Sequence, residues 1–169
     1  VDGTFTYTPS ANYNGPDSFI YKLCDTNGDC SSSTVYLAVN PVNDAPVAND
    51  DAAVTTEEIP VTFNILTNDN DLLDGGTLNP ATIDLDPNTT GQQTVLTIPG
   101  EGTYTVITTT GEVTFTPVPN FNGNTSPVTY QVCDNGNPLP ALCAQAQIRI
   151  KVSPANDPPI AGISSMATQ

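Results

Sequence analysis

The residues of this chain that could do chemistry are carboxylates and cysteines, because its 169 residues include no histidine. There are 18 Asp and Glu against 3 Lys and Arg, which gives a net charge of −15. Ten of the acids lie between residues 43 and 86, and no Lys or Arg occurs between Lys22 and Arg149. Internal ion pairs therefore cannot neutralise this stretch. Calcium could, since it takes roughly six to eight oxygen ligands from loops.

Two segments carry the candidate calcium ligands: a linker between two units of the chain, and the loop after a strand predicted at residues 59–65. The linker contributes Asn43, Asp44, Asp50 and Asp51, and the loop contributes Asn68, Asp69, Asp71 and Asp74. The alternative is that these are solvated loop acids that keep a surface protein soluble. A weaker candidate, Asp25-Thr-Asn-Gly-Asp29, resembles the start of an EF-hand loop but lacks its later positions, so an ordinary turn is favoured there.

The four cysteines form two local pairs, Cys24/Cys30 and Cys133/Cys143. Each pair brackets a turn-rich loop between two alternating runs, which predicts a disulfide across the mouth of a hairpin. Closing loops this short contributes ~2–3 kcal/mol each on the chain-entropy model. A zinc site would need ligands from two units and has no histidine to use. Disulfides indicate an oxidising compartment, so we expect an extracellular or cell-surface protein.

Residues 3–15 return, with substitutions, as residues 111–123, and each copy is followed by a Tyr-x-x-Cys-Asp element and an Asn-Asp-x-Pro element. A period of about 110 residues is too long for a solenoid repeat and fits one small β domain. We predict that residues 1–42 are the C-terminal half of a repeat and that residues 43–155 are a complete repeat. Residues 156–169 would then be a linker and the first strand of a further repeat.

Alternating apolar rows in the second repeat predict about eight short strands, which suits an immunoglobulin-like sandwich. The rows lie around residues 47–54, 59–65, 83–85, 95–98, 104–106, 113–115, 128–132 and 148–152. Most of the six tyrosines and five phenylalanines fall in such rows in the two repeats, so we expect them in the core. The predicted fold class is therefore all-β, with tandem immunoglobulin-like or cadherin-like β-sandwich domains.

The succession Gly-x-x-Thr-[Tyr/Phe]-Thr-Pro, Asn-[Tyr/Phe]-Asn-Gly, Tyr-x-x-Cys-Asp and Asn-Asp-x-Pro resembles the bacterial cadherin-like and Ig-like tandem repeats of giant cell-surface adhesins. The disulfide-bearing form is similar to repeats in adhesins of gliding bacteria. The resemblance implies a stalk or adhesive fibre outside the cell, and many members of these families bind calcium. The linker lacks the full acidic set of animal cadherins, so their calcium cluster is not carried over whole.

Several function classes are disfavoured by the inventory of side chains. Without histidine, a Ser or Cys nucleophile lacks its usual base, so we expect no enzyme. The negative charge argues against nucleic acid, and no apolar run reaches the roughly 18 residues of a membrane helix. We therefore expect a structural repeat module of an extracellular adhesin stalk or fibre, whose partners are neighbouring repeats or neighbouring fibre subunits. The alternatives are a module that binds a ligand or surface glycan, and a filament subunit completed by strand exchange.

Overall fold

The computed structural model describes residues 3–159, and all regular elements in this range are strands. Proline, glycine and asparagine separate the apolar rows and supply the turns between them. Nothing in the described range forms a helix long and apolar enough to cross a membrane. The strands are β1 (Gly15–Cys24), β2 (Cys30–Val39), β3 (Asp51–Thr56), β4 (Val61–Asn64), β5 (Leu78–Asp84), β6 (Val95–Ile98), β7 (Gly102–Ile107), β8 (Glu112–Pro117), β9 (Gly123–Asn124), β10 (Val128–Asp134) and β11 (Cys143–Ser153).

The second repeat is a sandwich of two sheets. One has the order β3-β11-β10-β5, with β9 paired to β11, and the other has the order β4-β8-β7-β6. Alternate residues of both sheets form one buried hydrophobic cluster, in which the rings of Tyr104 and Phe115 lie 4.7 Å apart. Burial of each large apolar side chain contributes ~1.5–3 kcal/mol. The predicted fold class, an all-β sandwich, is confirmed.

Some strand limits differ from the predicted rows. Ile59 lies outside β4 and is 57% exposed. Pro60 has no N–H to donate to a neighbouring strand, so the pairing starts after it. Ile65 follows β4 in a turn and is nevertheless fully buried. The first strand of this repeat begins later than predicted, and Val47 instead forms an isolated bridge with Asn70.

The repeat seen in the sequence is also a repeat of backbone structure. β1–β2 and β10–β11 are both antiparallel hairpins closed by a facing cysteine pair. The turn before each hairpin is the same: Asn12 and Asn120 have φ of 59° and 61°, and Gly15 and Gly123 have φ of 122° and 125°. Asparagine and glycine tolerate positive φ better than other residues. The Asn-[Tyr/Phe]-Asn-Gly element therefore encodes this turn in both repeats.

The apolar face of the β1–β2 hairpin is uncovered within the described range. Tyr21 and Leu23 are 48% and 71% exposed, whereas Tyr130 and Val132, at the same positions of the second hairpin, are fully buried. In the second repeat, the sheet of β4, β6, β7 and β8 covers that face, and β3 and β5 flank the hairpin in its own sheet. No corresponding strands precede β1 in residues 3–159. The division into units at residues 42 and 155 remains a prediction.

The expectation that most tyrosines and phenylalanines lie in the core is wrong. Of the aromatic residues in the described range, only Tyr104, Phe115 and Tyr130 are buried. Four aromatic residues of the first repeat are exposed, namely Phe5, Tyr13, Tyr21 and Tyr36. These residues do alternate along strands, but a row of alternating residues is buried only when a second sheet covers it.

Candidate functional site

The structure regroups the eight predicted calcium ligands. The sequence divides them by segment, whereas the fold pairs half of the linker with half of the loop after β4. One group, which we call the joint site, contains Asn43, Asp44, Asp71 and Asp74, together with Asp134 from the end of β10. The other, which we call the strand-start cluster, contains Asp50, Asp51, Asn68 and Asp69, together with Tyr130.

The joint site is built where the linker crosses two loops of the second repeat. The side-chain amide of Asn43 donates to Asp134 Oδ2 at 2.7 Å and to the carbonyl oxygen of Pro140 at 3.1 Å. The next residue, Asp44, donates its backbone N–H to Asp74 Oδ2 at 3.0 Å. These bonds join residues far apart in sequence. The linker is therefore fixed to the second repeat by polar contacts rather than left free.

Asp71 is the most informative residue of the joint site. It is 5% exposed, and neither of its carboxylate oxygens has a hydrogen-bond partner. Burial raises the pKa of Asp71, and repulsion from the nearby carboxylates of Asp74, Asp134 and Asp44 raises it further. A buried carboxylate without a partner is costly. The surrounding protein therefore does not compensate the buried charge of Asp71.

Two further features of the joint site concern the surroundings of the Asp71 carboxylate. Oδ1 of Asn43 is also buried without a partner. Gly76 lies so close that a Cβ at this position would be 2.0 Å from Asp71 Oδ2, so any other residue would displace the carboxylate. The backbone N–H groups of Asp44 and Gly76 donate to Asp74, and these bonds lower the pKa of its carboxyl. Asp74 is thus held ionised beside Asp71.

The strand-start cluster lies at the beginning of β3. Asp51 is 9% exposed, and its Oδ2 has no partner. Burial raises the pKa of Asp51 to about 6, with smaller contributions from the charges of Asp69 and Asp50, while hydrogen bonds from Tyr130 and Asn68 oppose the shift. Burial likewise raises the pKa of Asp69 and of Tyr130.

The other members of this cluster already have protein partners. Asp50 pairs with Arg149 at 2.9 Å and accepts the backbone N–H of Gln147 at 2.9 Å. Asp69 accepts the hydroxyl of Tyr130 at 2.9 Å and the backbone N–H of Asn49 at 2.7 Å. These contacts hold the start of β3 against the loop after β4. The contacts of Asp50 and Asp69 therefore have a structural role.

In residues 3–159, no three acidic or cysteine side chains are already arranged so that they could hold a metal ion. The joint site does border a cavity of about 290 Å³ between the two repeats. It is lined by Pro9, Ser10, Asn12, Tyr13, Asn14, Val39, Asn40 and Val42 from the first repeat and its linker, and by Asp44, Leu73 and Asp74 beside the second repeat. Oxygen-bearing side chains from both repeats thus face the same small space.

Both expected disulfides are present, Cys24–Cys30 and Cys133–Cys143, and the described residues contain no free cysteine. In the first hairpin, Asp25 Oδ1 accepts the backbone N–H groups of Asn27 and Asp29, each at 2.9 Å. The carboxylate of Asp25 therefore organises a turn. This geometry supports the ordinary-turn interpretation of the EF-hand-like segment.

Asp134 belongs to the joint site, although it is not among the ligands predicted from the sequence. The residue is 1% exposed and lies about 90 positions from the linker in the chain, which no spacing rule would connect. A signal was nevertheless present. The Tyr-x-x-Cys-Asp element carries an aspartate after the first cysteine of both repeats, at Asp25 and Asp134.

The sandwich, the disulfide-closed hairpins and the structured joint define a class of protein: tandem, disulfide-bearing β-sandwich repeats. The chain belongs to the family described as the surface adhesin CshA repetitive domain, whose sequence pattern matches residues 45–143. Residues 1–38 match the family described as the bacterial Ig domain. The predicted resemblance to bacterial Ig-like adhesin repeats is therefore confirmed, and the chain is a repeat module of the surface-adhesin type.

Solved structures with a similar fold include mouse cadherin-23 repeats EC22-24, at a TM-score of 0.52 and 17% identity, with 86% of this chain and 45% of that chain covered. The extracellular domain of protocadherin GammaB4 superposes at a TM-score of 0.46 and 22% identity, over 83% of this chain and 22% of that chain. Protein GAMETE EXPRESSED 2 of Arabidopsis thaliana is 48% identical over 33 residues, which are 20% of this chain and 4% of that protein. The chain thus spans less than half of each of these proteins.

Membership of these families has two broader consequences. A surface-adhesin repeat and a bacterial Ig domain indicate an extracellular or cell-surface protein. Adhesin repeats with a cadherin-like fold belong to protein classes that are typically non-enzymatic. Both statements agree with the expectations drawn from the disulfides and from the missing histidine.

Proposed function

We propose that this chain is a structural module of an adhesin stalk or fibre, which gives reach and stiffness outside the cell. One observation carries the proposal: the linker between the repeats is anchored to the second repeat through Asn43 and Asp44. A flexible tether would need no such contacts. Proline follows the Asn-Asp element in both linkers and further limits bending. The module comprises a half repeat at residues 1–42, a complete repeat at 43–155, and a linker with the first strand of a further repeat at 156–169. That further strand lies outside the described residues.

We further propose that calcium binds the joint site and stiffens the joint. The donors would be Asn43, Asp44, Asp71 and Asp74, with Asp134 as a fifth residue. The unpartnered oxygens of Asp71 and Asn43 support this choice, because they are buried and have nothing else to bind. Calcium prefers such carboxylate and amide oxygens. The bound ion supplies positive charge that no nearby Lys or Arg provides, and modest movements of the carboxylates would close the site around it.

The strand-start cluster is a less suitable place for an ion. Asp50, Asn68 and Asp69 already bond to protein groups, and only Asp51 keeps an unpartnered oxygen. Carboxylates repel one another in both groups, but in the joint site both oxygens of Asp71 and Oδ1 of Asn43 are unpartnered. An ion there replaces repulsion with shared coordination. At calcium 100 times above the dissociation constant, the gain in the free energy of unfolding is about 2.7 kcal/mol.

The test is a calcium titration of the whole chain by calorimetry, with small-angle scattering at each end point. We expect saturable binding of about one ion per chain and a narrower distribution of distances between the repeats. Sodium chloride at matched ionic strength should not reproduce either result, because screening has no fixed stoichiometry. If sodium and calcium act equally, the acids are a solvated surface and the calcium proposal is wrong.

A second candidate function is glycan binding. Tyr36 is 82% exposed on the outer face of the β1–β2 hairpin, beside Ile20, which is 73% exposed. An exposed aromatic ring can stack on a sugar face. The partner would be a surface glycan, and the comparison that tests this is binding of the chain and of the Tyr36→Ala variant to immobilised glycans. Equal retention of both proteins would remove the observation that favours this function.

Completion by strand exchange is the remaining possibility for partners. The uncovered face around Tyr21 and Leu23 would accept strands from a neighbouring repeat of the same chain or from a neighbouring fibre subunit. The open edges of β1 and β2 would then form the ladders that β5 and β3 make with β10 and β11. Analytical ultracentrifugation over a range of concentrations distinguishes these sources, since only exchange between subunits produces concentration-dependent assembly.

A further inference from the structure

Both disulfide-closed hairpins contain the same carboxylate cradle. In the second hairpin, Asp134 Oδ1 accepts the backbone N–H groups of Gly136 at 2.7 Å and Leu142 at 3.0 Å. In the first, Asp25 Oδ1 makes the equivalent pair of bonds within its own loop. The backbone N–H of each aspartate also donates across the loop, at 3.0 Å and 2.8 Å. One carboxylate oxygen thus closes the loop, and Oδ2 remains for a partner outside it.

In the second hairpin, that outside partner is the incoming linker. The two hydrogens of the Asn43 amide go to Asp134 Oδ2 and to the carbonyl oxygen of Pro140, which both belong to the loop between β10 and β11. A hydrogen bond to an ionised acceptor is shorter and stronger than one between neutral groups. The loop therefore matches a primary amide, which offers two donors on one nitrogen.

We propose that the loop closed by Cys133–Cys143 is a clasp for the linker, and that its ligand is the side-chain amide of the Asn-Asp-x-Pro asparagine. An aspartate at position 43 would place a second carboxylate against Asp134 and be repelled. An alanine would leave Asp134 Oδ2 buried without a donor. The amide is the side chain that satisfies both acceptors, which explains why an asparagine stands there in the linker.

The cradle is a property of the hairpin itself. The Asp25 cradle has the same internal bonds, although no linker asparagine bonds to Asp25 within residues 3–159. Gly136 is required for the second cradle, because a Cβ there would lie 2.5 Å from the backbone nitrogen of Ala141. The disulfide joins the two strands at the base of the loop, where Cys133 directly precedes Asp134. The disulfide thus positions the acceptors before the linker binds them.

The clasp acts through protein atoms alone, so its test is run with EDTA and is independent of the calcium proposal. The reporter is hydrogen exchange of the Asp44 amide, which donates to Asp74 next to the clasped residue. Three variants of the whole chain are compared with the parent protein: Asn43→Ala, the pair Cys133→Ser with Cys143→Ser, and the matched control pair Cys24→Ser with Cys30→Ser. Exchange of the Val132 amide is followed in each as a measure of overall unfolding.

We expect Asn43→Ala and the second-repeat cysteine pair to accelerate exchange at Asp44 by about tenfold or more relative to Val132, the effect of losing one hydrogen bond to a charged group. The first-repeat pair should leave exchange at Asp44 unchanged. Combining Asn43→Ala with the second-repeat pair should add little, because both remove the same contact. The proposal is overturned if Asn43→Ala leaves exchange at Asp44 unchanged, or if both cysteine pairs accelerate it equally. Should the second-repeat cysteine variant fail to fold, Asn43→Ala and Asn43→Asp still decide the outcome.

Discussion

Tyr21 and Tyr130 occupy the same position in the two repeats, yet Tyr130 is fully buried and Tyr21 is 48% exposed. Both lie in a Tyr-x-x-Cys-Asp element with an apolar residue two positions to each side, so the local pattern does not explain the difference. The hydroxyl of Tyr130 donates to Asp69 Oδ2 at 2.9 Å, in the loop after β4. The first repeat has no counterpart of this loop in the described range. The burial of this tyrosine is therefore determined by the strands that cover the hairpin.

We predict that replacing each of these tyrosines by alanine has very different effects on stability. Tyr130→Ala should lower the free energy of unfolding by ~3–5 kcal/mol, the loss typical of a large buried aromatic side chain. Tyr21→Ala should lower it by less than ~1 kcal/mol, because little burial is lost. Urea denaturation of the two variants measures the difference. Similar losses in both would mean that the face of the first hairpin is covered in solution.

The raised pKa of Asp51 predicts a dependence of stability on pH. The pKa is about 6 in the folded protein against an ordinary value of 3.8. Between these two values, the folded protein keeps a proton on Asp51 that the unfolded chain has already released. This contribution to stability is present in full below about pH 4 and is lost as the pH rises through about 6. Asp51→Asn should abolish this fall in stability with rising pH. At pH 7 without calcium, the variant should have a free energy of unfolding about 1 kcal/mol higher than the parent protein. The measurement is denaturation between pH 4 and 8; an unchanged pH slope in the variant would contradict it.

We predict that Asp71→Asn abolishes the response of the protein to calcium. Without calcium, this variant should be as stable as the parent protein or more stable, because the substitution removes a buried charge that has no partner. With calcium, only the parent protein should gain stability, by about 2.7 kcal/mol at 100 times the dissociation constant. Thermal denaturation with and without calcium measures both effects.

The matched control for Asp71→Asn is Asp50→Asn in the strand-start cluster. It removes one carboxylate charge and the ion pair between Asp50 and Arg149. The side chain of Asp50 is 57% exposed and that of Arg149 is 52% exposed. Such exposed pairs contribute about 0–1 kcal/mol. The control should therefore keep the calcium response. Loss of the response in both variants would indicate general charge screening instead of a site.

The two predicted units should differ in their ability to fold. A peptide of residues 1–42 should show no cooperative unfolding, since two strands with one uncovered face are too few for an independent core. A protein of residues 43–157 should unfold cooperatively, because it contains both sheets and the whole hydrophobic cluster. Circular dichroism during thermal denaturation distinguishes the outcomes. A sharp transition in the short peptide would show that the repeat boundary is misplaced.

The sequence predicted the strands of the second repeat well, because alternation with period two reports directly which residues face a core. Alternation within a strand does not report whether a second sheet covers it, as Leu23 and Val132 show. These residues have the same local pattern and opposite burial. Covering strands come from sequence that is distant from the hairpin, and periodicity within a strand contains no information about them.

The joint site could also be predicted only in part. Its excess of negative charge follows from the sequence, because charge can be counted along the chain. The arrangement of its acids does not, because Asp71 and Asp134 come together only when the loop after β4 and the end of β10 meet at one end of the sandwich. Spacing along one segment can suggest ligands, but it cannot select the loops that meet.

The parallel pairing of β3 with β11 has a mechanical consequence. The two strands pair at six positions, from Asp51 opposite Ile148 to Thr56 opposite Ser153, and the two linkers leave from opposite ends of this pair. A pull applied through the linkers slides one strand along the other, so the whole ladder is loaded at once instead of opening bond by bond. In the stalk proposed above, tension would pass through the first and last strands of the repeat. Their six-position ladder would have to yield before the repeat could unfold.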